Sequence, residues 1–118
     1  MLSLARHTLL ELHGCDAALL KDVAVLKPIV IDAVQRGRGT IVTDVFHNFS
    51  PHGVSGVVVI AESHVAIHTW PEHGFAAVDI FSCSPALDVA AIRAALEAGL
   101  HSQRTDARTL ERGVGDRA

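Results

Sequence analysis

The sequence predicts an α+β fold, a two-layer sandwich in which one antiparallel sheet carries two helices on one face. Two observations predict it. Several consecutive segments have the apolar period of a strand and are separated by short turns, as in antiparallel hairpins. Segments with the three- and four-residue apolar period of a helix lie before and after them, and not between every pair of strands as in a parallel sheet. We expect one domain over residues 1–118.

The first part of the chain is predicted to form a strand and a helix. Residues 4–12 fit a first strand, although their period alone does not exclude a helix. Residues 22–35 place apolar side chains at three- and four-residue steps, which predicts a helix with one buried face. Since proline is favourable only in the first turn of a helix, Pro28 indicates that the regular helix starts near Lys27.

The rest of the chain is predicted to complete the sheet and to add the second helix. Ser84 and Pro85 are typical of a helix start, with the serine as cap, and the helix is expected over residues 86–99. The polar alternation of residues 102–112 favours a last, edge strand. Four strands are expected between the two helices, the last three as a meander: residues 40–46, 54–61, 64–70 and 75–82.

Composition argues against several classes of protein. Lys and Arg total 10 against 13 Asp and Glu, and this net charge of −3 argues against a nucleic-acid partner. The longest aliphatic run, residues 57–61, is too short to span a bilayer, and we expect neither a membrane partner nor a signal peptide. Cys15 and Cys83 are too few for a disulfide framework, which favours the reducing cytoplasm as location.

The eight histidines of the chain raise the possibility of a metal site. His64 and His68 share one face of a predicted strand, but four residues of strand separate them by roughly 13 Å. Zinc nitrogen ligands lie about 2 Å from the metal, so these two side chains do not reach one ion. We therefore expect no metal site, and surface or half-buried positions for most of the histidines.

A nucleophile is the second candidate. Ser63 follows Glu62 in a tight turn between two apolar strands, which would hold its hydroxyl rigidly. His68 and Ser55 lie on the flanking strands and Cys83 ends the next one, so a nucleophile, a base and a proton donor are expected to converge. The alternative is structural: Ser63 as a turn residue, Ser55 as a strand hydroxyl and Cys83 as a small buried side chain. No general catalytic motif, such as Gly-x-Ser-x-Gly or Cys-x-x-Cys, favours the first reading.

One long stretch resembles a known family. Residues 46–72 read FHNFSPHGVSGVVVIAESHVAIHTWPE, and residues 76–81 and Cys83 continue the likeness. This pattern resembles the S-adenosylmethionine decarboxylase proenzymes of bacteria and archaea. The likeness covers most of the chain, from about residue 3 to about residue 100, and little of the tail from residue 102.

The resemblance implies a cofactor that the chain makes from itself. The Ser63 hydroxyl would attack the Glu62 carbonyl, turning the peptide bond into an ester, and elimination would then cut the chain. The products would be a β chain, residues 1–62, and an α chain, residues 63–118, that begins with a pyruvoyl group. By the same likeness His68 is the base of this processing reaction and Ser55 assists it.

The resemblance also implies a decarboxylase. The pyruvoyl group would form a Schiff base with S-adenosylmethionine and act as an electron sink, giving carbon dioxide and the decarboxylated aminopropyl donor of spermidine biosynthesis. Cys83 resembles the proton donor, since thiols are mostly protonated at neutral pH. Phe49 resembles the ring that stacks on adenine, and Glu72 the carboxylate that holds the ribose hydroxyls. Core packing of Phe49 and turn solvation of Glu72 are the structural alternatives.

Family members form homodimers with an αββα arrangement of facing sheets, and the resemblance implies the same assembly here. The active site would lie between protomers. Ser63 and Cys83 would come from one of them, and Phe49, Ser55, His68 and Glu72 from the other.

Some positions depart from the family pattern. Ala5 stands where glycine is common in the family, and His73 and Phe75 stand where tyrosine is common. A Ser-Cys-Ser sequence surrounds Cys83 in place of Thr-Cys-Gly. None of these changes removes a reactive group, but they flank the expected pocket. A pyruvoyl-dependent ornithine or arginine decarboxylase, or an unprocessed binding homologue, is therefore the alternative function.

Overall fold

The computed structural model describes residues 3–114. Two short 3₁₀ turns, Ala17–Leu19 and Pro71–His73, accompany six strands and two helices. In chain order the elements are β1 (Ala5–His13), α1 (Val23–Arg36), β2 (Ile41–Asn48), β3 (Val54–Ile60), β4 (Ser63–Trp70), β5 (Phe75–Ser82), α2 (Val89–Leu100) and β6 (Arg104–Arg112). The strands form one sheet in the order β2-β3-β4-β5-β1-β6, and every neighbouring pair is antiparallel.

Both helices pack on the same face of the sheet and bury the core there. Successive residues of a strand point to opposite faces, and in β3, β4 and β5 the buried residues recur at every second position. Helix α1 contributes Leu26, Val30, Ala33 and Val34 to the core, and α2 contributes Ile92, Leu96 and Leu100. The predicted fold class, an antiparallel sheet with two helices on one face, is confirmed.

The other face of the sheet, which we call the open face, has no helix over it within the described residues. Apolar side chains are exposed on it: Val45 is 69% exposed, and Val57 and Val59 are 39% and 38% exposed. Trp70, at the end of β4, is 41% exposed. A two-layer protein with one solvated sheet face normally carries polar side chains there, whereas this face exposes several apolar ones.

The predicted strands and the edge position of β6 are confirmed, but the expected start of the first helix near Lys27 is wrong. Helix α1 begins at Val23 and contains Pro28. Pro28 is the sixth residue of this helix and removes one backbone donor from it. The helix nevertheless starts at Val23, because two side chains accept N–H groups of its first turn. The Asp22 carboxylate accepts a backbone N–H of that turn at 2.9 Å, and the amide oxygen of Asn48 accepts the N–H of Val23 at 2.8 Å.

The expected start of the second helix at Ser84 is also wrong. Helix α2 begins at Val89, and the Asp88 carboxylate caps it by accepting the N–H of Ala91 at 3.0 Å. The Ser84 hydroxyl instead accepts the N–H of Ala86 at 3.1 Å, within a turn that precedes the helix. Asp88 and Ser84 both have side chains that can cap a helix, and Asp88, which is nearer to the buried residues of α2, starts it.

Neither helix within residues 3–114 has the length and hydropathy that crossing a bilayer requires.

Candidate active site

The hairpin between β3 and β4 has a two-residue loop and presents the Glu62–Ser63 peptide bond. Ile60 pairs with Ser63 across this hairpin. The loop is tied to the chain before β2, since the N–H of Ala61 donates to the carbonyl of Thr40 at 2.9 Å. Glu62 has a φ of 63°, the left-handed region that glycine tolerates and other residues rarely adopt. Such a conformation costs on the order of 1–3 kcal/mol, so the bond after Glu62 is held in a strained turn.

Ser63 and Cys83 lie together at this end of the sheet. Ser63 opposes Ser82 on the neighbouring strand β5, and its side chain is 8% exposed. Its Oγ accepts the backbone N–H of Cys83 at 3.4 Å. The Cys83 thiol itself is exposed, which contradicts the structural alternative of a small buried side chain. Beside it lies a groove of about 890 Å³ whose walls include Ala5, Ser82 and Ser84.

Ser55 and His68 form a second pair, on the open face. They are direct neighbours on β3 and β4, and the Ser55 hydroxyl lies 2.8 Å from the His68 Nδ1. This hydrogen bond fixes the orientation of the imidazole and leaves its Nε2 free for a proton transfer.

A cavity of about 270 Å³ opens beside the Ser55–His68 pair. Phe49 is 51% exposed at its wall, so the alternative of a core phenylalanine is wrong. Glu72, on the 3₁₀ turn after β4, is likewise exposed beside this cavity. The lining residues include Phe49, His52, Ser55, His68, Trp70 and Glu72.

The loop that carries Phe49 is anchored at several points. The N–H of Phe49 donates to the carbonyl of Gly53 at 2.8 Å, which closes the loop on itself. The Thr69 hydroxyl donates to the carbonyl of Leu20 at 2.9 Å and accepts the N–H of Val54 at 2.9 Å. Thr69 thereby joins the loop, β4 and the chain before α1, and it holds the cavity wall in one position.

The two groups of residues lie at opposite ends of β4. Ser63 is its first residue and His68 is five residues further on, which corresponds to roughly 16 Å along a strand. An odd number of residues also places the two side chains on opposite faces of the sheet. The expectation that Ser63, His68, Ser55 and Cys83 converge within one chain is therefore wrong: Ser63 meets Cys83, and His68 meets Ser55.

Two other histidines lie near a carboxylate of the sheet. His7 and His64 lie on the open face, with their Nε2 atoms 2.9 Å and 3.8 Å from the Asp79 carboxylate. Residues 3–114 bring together no group of three histidine, cysteine, aspartate or glutamate side chains that could hold a metal ion.

The family model described as S-adenosylmethionine decarboxylase matches residues 6–113, nearly the whole chain. The chain belongs to the S-adenosylmethionine decarboxylase family. The resemblance seen in residues 46–72 is thereby confirmed at the level of the family.

Relatives of the S-adenosylmethionine decarboxylase family align over much of the chain. The S-adenosylmethionine decarboxylase proenzyme of Thermodesulfovibrio yellowstonii is 54% identical over 83 residues, which are 70% of this chain and 62% of that protein. The proenzyme of Pseudomonas paraeruginosa is 45% identical over 112 residues, 95% of this chain and 70% of that protein. The chain thus spans 62% to 70% of the length of these two curated relatives.

A solved structure of the same family shares the fold. The crystal structure of the adenosylmethionine decarboxylase from Aquifex aeolicus superposes with a TM-score of 0.89 at 33% sequence identity. The match covers 100% of this chain and 98% of that one.

Sequence reasoning missed two residues of the cavity wall, His52 and Trp70. Both stand inside the stretch that carries the resemblance to the S-adenosylmethionine decarboxylases, but neither has a spacing that signals chemistry. Only the pairing of β3 with β4 and the closed loop before β3 bring them to the same cavity.

Proposed function

We propose that the chain is an S-adenosylmethionine decarboxylase that cuts itself between Glu62 and Ser63 and makes its pyruvoyl cofactor from Ser63. One observation carries this proposal. In a chain of a decarboxylase family, Glu62 has a left-handed backbone conformation just before the peptide bond to Ser63, and the Ser63 hydroxyl lies beside the backbone N–H of Cys83. The decarboxylated product, an aminopropyl donor, would serve spermidine biosynthesis, and carbon dioxide would leave as the by-product.

The hairpin geometry supports cleavage by Ser63. Its Oγ would attack the Glu62 carbonyl carbon while the Ser63 nitrogen leaves, so an ester replaces the peptide bond. The φ of 63° at Glu62 adds a strain that the opening of this bond releases. Loss of the Ser63 α-proton then expels the Glu62 carboxylate, and uptake of water with loss of ammonia leaves the pyruvoyl group. Burial of Ser63 beside Cys83 fits that group, since few solvent-exposed orientations compete with the reactive one.

His68 is the base that this reaction requires. Ser55 holds its Nδ1 at 2.8 Å, which leaves the Nε2 to take the hydroxyl proton of a serine. Within one chain Ser63 lies roughly 16 Å away along β4, so the serine that His68 serves would belong to a second copy.

The open face supports a homodimer as the source of that second copy. Its exposed valines offer an apolar surface, and two open faces packed together give an αββα arrangement. If the two β4 strands run antiparallel across the interface, the Ser63 end of one protomer meets the His68 end of its partner. Because the Ser63 side chain points to the helix-bearing face, the partner's His68 would reach it around the end of the sheet, at the two-residue turn before β4. Each dimer would then hold two equivalent sites, each built from the Cys83 groove of one chain and the Phe49 cavity of the other.

The residues at each site match the parts of the substrate. When bound, the pyruvoyl group supplies an electron sink for the carbanion that decarboxylation generates. The exposed thiol of Cys83 would return a proton to the α-carbon. The ring of Phe49 would stack on the adenine, and the two oxygens of Glu72 would accept hydrogen bonds from the ribose hydroxyls.

Mass spectrometry of the purified protein tests the cleavage. We expect two fragments separated between Glu62 and Ser63, with summed masses that differ from the precursor by one water gained and one ammonia lost. Ser63→Ala should leave one intact chain. Ser82→Ala is the matched control, because Ser82 is equally buried and directly opposite Ser63, and it should be cleaved. A wild-type chain that stays intact would refute the pyruvoyl cofactor.

Carbon dioxide release tests the substrate. The cleaved protein should release it from S-adenosylmethionine and not from ornithine or arginine. If the protein released carbon dioxide from ornithine or arginine and not from S-adenosylmethionine, the chain would be the alternative, pyruvoyl-dependent ornithine or arginine decarboxylase.

A further inference from the structure

The carboxylate of Glu72 is in contact with a histidine of the facing loop. The Nε2 of His52 lies 3.5 Å from the Oε1 of Glu72, and both side chains line the 270 Å³ cavity. Within residues 3–114, His52 is the one basic side chain within 4.0 Å of this carboxylate. No motif in the sequence singled out His52.

We propose that His52 is a positioning residue for nucleoside binding: it holds the Glu72 carboxylate in the orientation that accepts the two ribose hydroxyls. The inference rests on the proposed function, because it takes the cavity to be the nucleoside site.

Glu72 and His52 differ in how firmly the backbone segments that carry them are held. Glu72 lies on an exposed 3₁₀ turn, and its side chain is 52% exposed. A long, exposed carboxylate has several rotamers in water. His52 stands in the loop that Phe49 and Gly53 close with a 2.8 Å backbone hydrogen bond, and Gly53 is tied to Lys21 at 3.3 Å. The anchored partner therefore restricts the mobile one.

The stoichiometry of hydrogen bonds favours this role. An ionised carboxylate has about four acceptor positions, and a vicinal diol uses two of them, one on each oxygen. His52 approaches Oε1 only, at 3.5 Å, which is longer than a well-formed hydrogen bond, and so leaves a free position on that oxygen and the whole of Oε2. His52 thus fixes the plane of the Glu72 carboxylate without occupying the positions that the hydroxyls need.

Binding of adenosine to the uncleaved Ser63→Ala protein tests the role without turnover. Trp70 is the single tryptophan of the chain and lines the same cavity, so its fluorescence reports occupancy. His52→Phe should weaken adenosine binding about fivefold, in the range of an exposed charged pair, and should change 2′-deoxyadenosine binding by less than about twofold. His52→Gln, which keeps an N–H donor, should restore most of the loss.

Two further variants separate this role from a general disturbance. His73→Phe is the matched control, because His73 adjoins Glu72 in sequence and is exposed outside the set of cavity-lining residues; it should bind adenosine normally. In a Glu72→Gln background, His52→Phe should cause no further loss. An unchanged affinity, an equal loss for both nucleosides, or a full additional loss in the Glu72→Gln background would each overturn the proposal.

The same variants in cleaved enzyme give an independent readout. His52→Phe should raise the KM for S-adenosylmethionine about fivefold and leave kcat within about twofold, because the contact lies away from the reacting carbon. If His52→Phe cleaves and turns over normally with an unchanged KM, only the positioning role of His52 is refuted. If the wild type does not cleave or does not release carbon dioxide, the proposed function is refuted.

Discussion

The backbone N–H of Cys83 donates to the Ser63 hydroxyl at 3.4 Å, whereas Cys83 itself is an exposed residue with a free thiol. In the proposed mechanism the two parts of this residue therefore serve different steps. The amide would belong to the proposed self-cleavage site, and it survives any change of side chain. The thiol is available for the proton that the decarboxylated substrate needs.

Cys83→Ala should accordingly separate cleavage from turnover. We expect cleavage within about twofold of the wild-type rate, because the amide remains, and a fall in kcat of about a hundredfold or more, the range of general acid catalysis. Intact mass and carbon dioxide release measure the two. Cys15→Ala, which removes the other free cysteine, should retain activity. Normal turnover by Cys83→Ala would exclude this thiol as proton donor.

Ser55→Ala should slow self-cleavage, since it removes the hydrogen bond that orients His68. Loss of one orienting hydrogen bond corresponds to about a tenfold lower rate. The time course of fragment formation in freshly made protein measures it. Ser50→Ala, in the exposed loop before β3, is the control and should cleave at the wild-type rate. If Ser55→Ala cleaves as fast as this control, Ser55 does not assist processing.

At the scale of elements, the cap of α2 is a specific contributor to stability. Asp88→Ala should lower the free energy of unfolding by about 1 kcal/mol, because a buried helix loses the acceptor for its third N–H. Urea denaturation in the uncleaved Ser63→Ala background measures this. Ser84→Ala removes a turn contact outside the helix and should cost less than half as much. The reverse order would place the effective cap at Ser84.

The strands of this fold were predictable and the helix starts were not, for a physical reason. The alternation of apolar and polar residues in 64–70 and 75–82 extends over the whole strand. A shift of one residue would move every side chain to the wrong face of the sheet, so the pattern leaves little freedom in placing the strand. A helix start depends on one or two side chains. Asp22 accepts its hydrogen bond locally, but Asn48 caps the same turn from 25 residues away, and no local pattern reveals that contact.

The site residues were predictable as a list but not as an arrangement. The resemblance names Ser63, His68 and Cys83 without distances. Counting along β4 then separates Ser63 from His68 by five residues, which is enough to exclude their contact within a strand. The contact of His52 with Glu72 depends on a closed loop meeting a 3₁₀ turn, and only the folded chain contains it.

At the scale of the whole molecule, the proposed mechanism gives each chain two incomplete halves of an active site. The Ser63–Cys83 half has the nucleophile without a base, and the Ser55–His68 half has the base without a nucleophile. The open face lies between them with its exposed valines. In the proposed dimer, one symmetric contact completes both sites at once.

Complementation between two inactive variants tests this arrangement. Ser63→Ala and His68→Ala should each stay uncleaved when expressed alone. When co-expressed with distinguishable tags, His68→Ala chains should be cleaved, because their Ser63 meets the intact His68 of the other chain. Random pairing makes about half of the dimers mixed, so up to about half of the His68→Ala chains should be cut.

A double variant provides the control for that experiment. Ser63→Ala/His68→Ala pairs with the His68→Ala chain through the same open face but supplies no histidine, and it should rescue nothing. If this pair cleaves, His68 is not the base of the reaction. If the first pair does not cleave, the base acts within its own chain and the dimeric site is wrong.

In the proposed dimer, the separation of Ser63 from His68 along β4 would also set the kinetics of maturation. A chain that needs a second copy to cut itself matures through an encounter, so the half-life of its precursor shortens as the protein accumulates. Dilute, newly made chains would persist as inert precursors, and the amount of active enzyme would rise more steeply than the amount of protein synthesised. A dimeric cleavage site thus makes activation depend on dose.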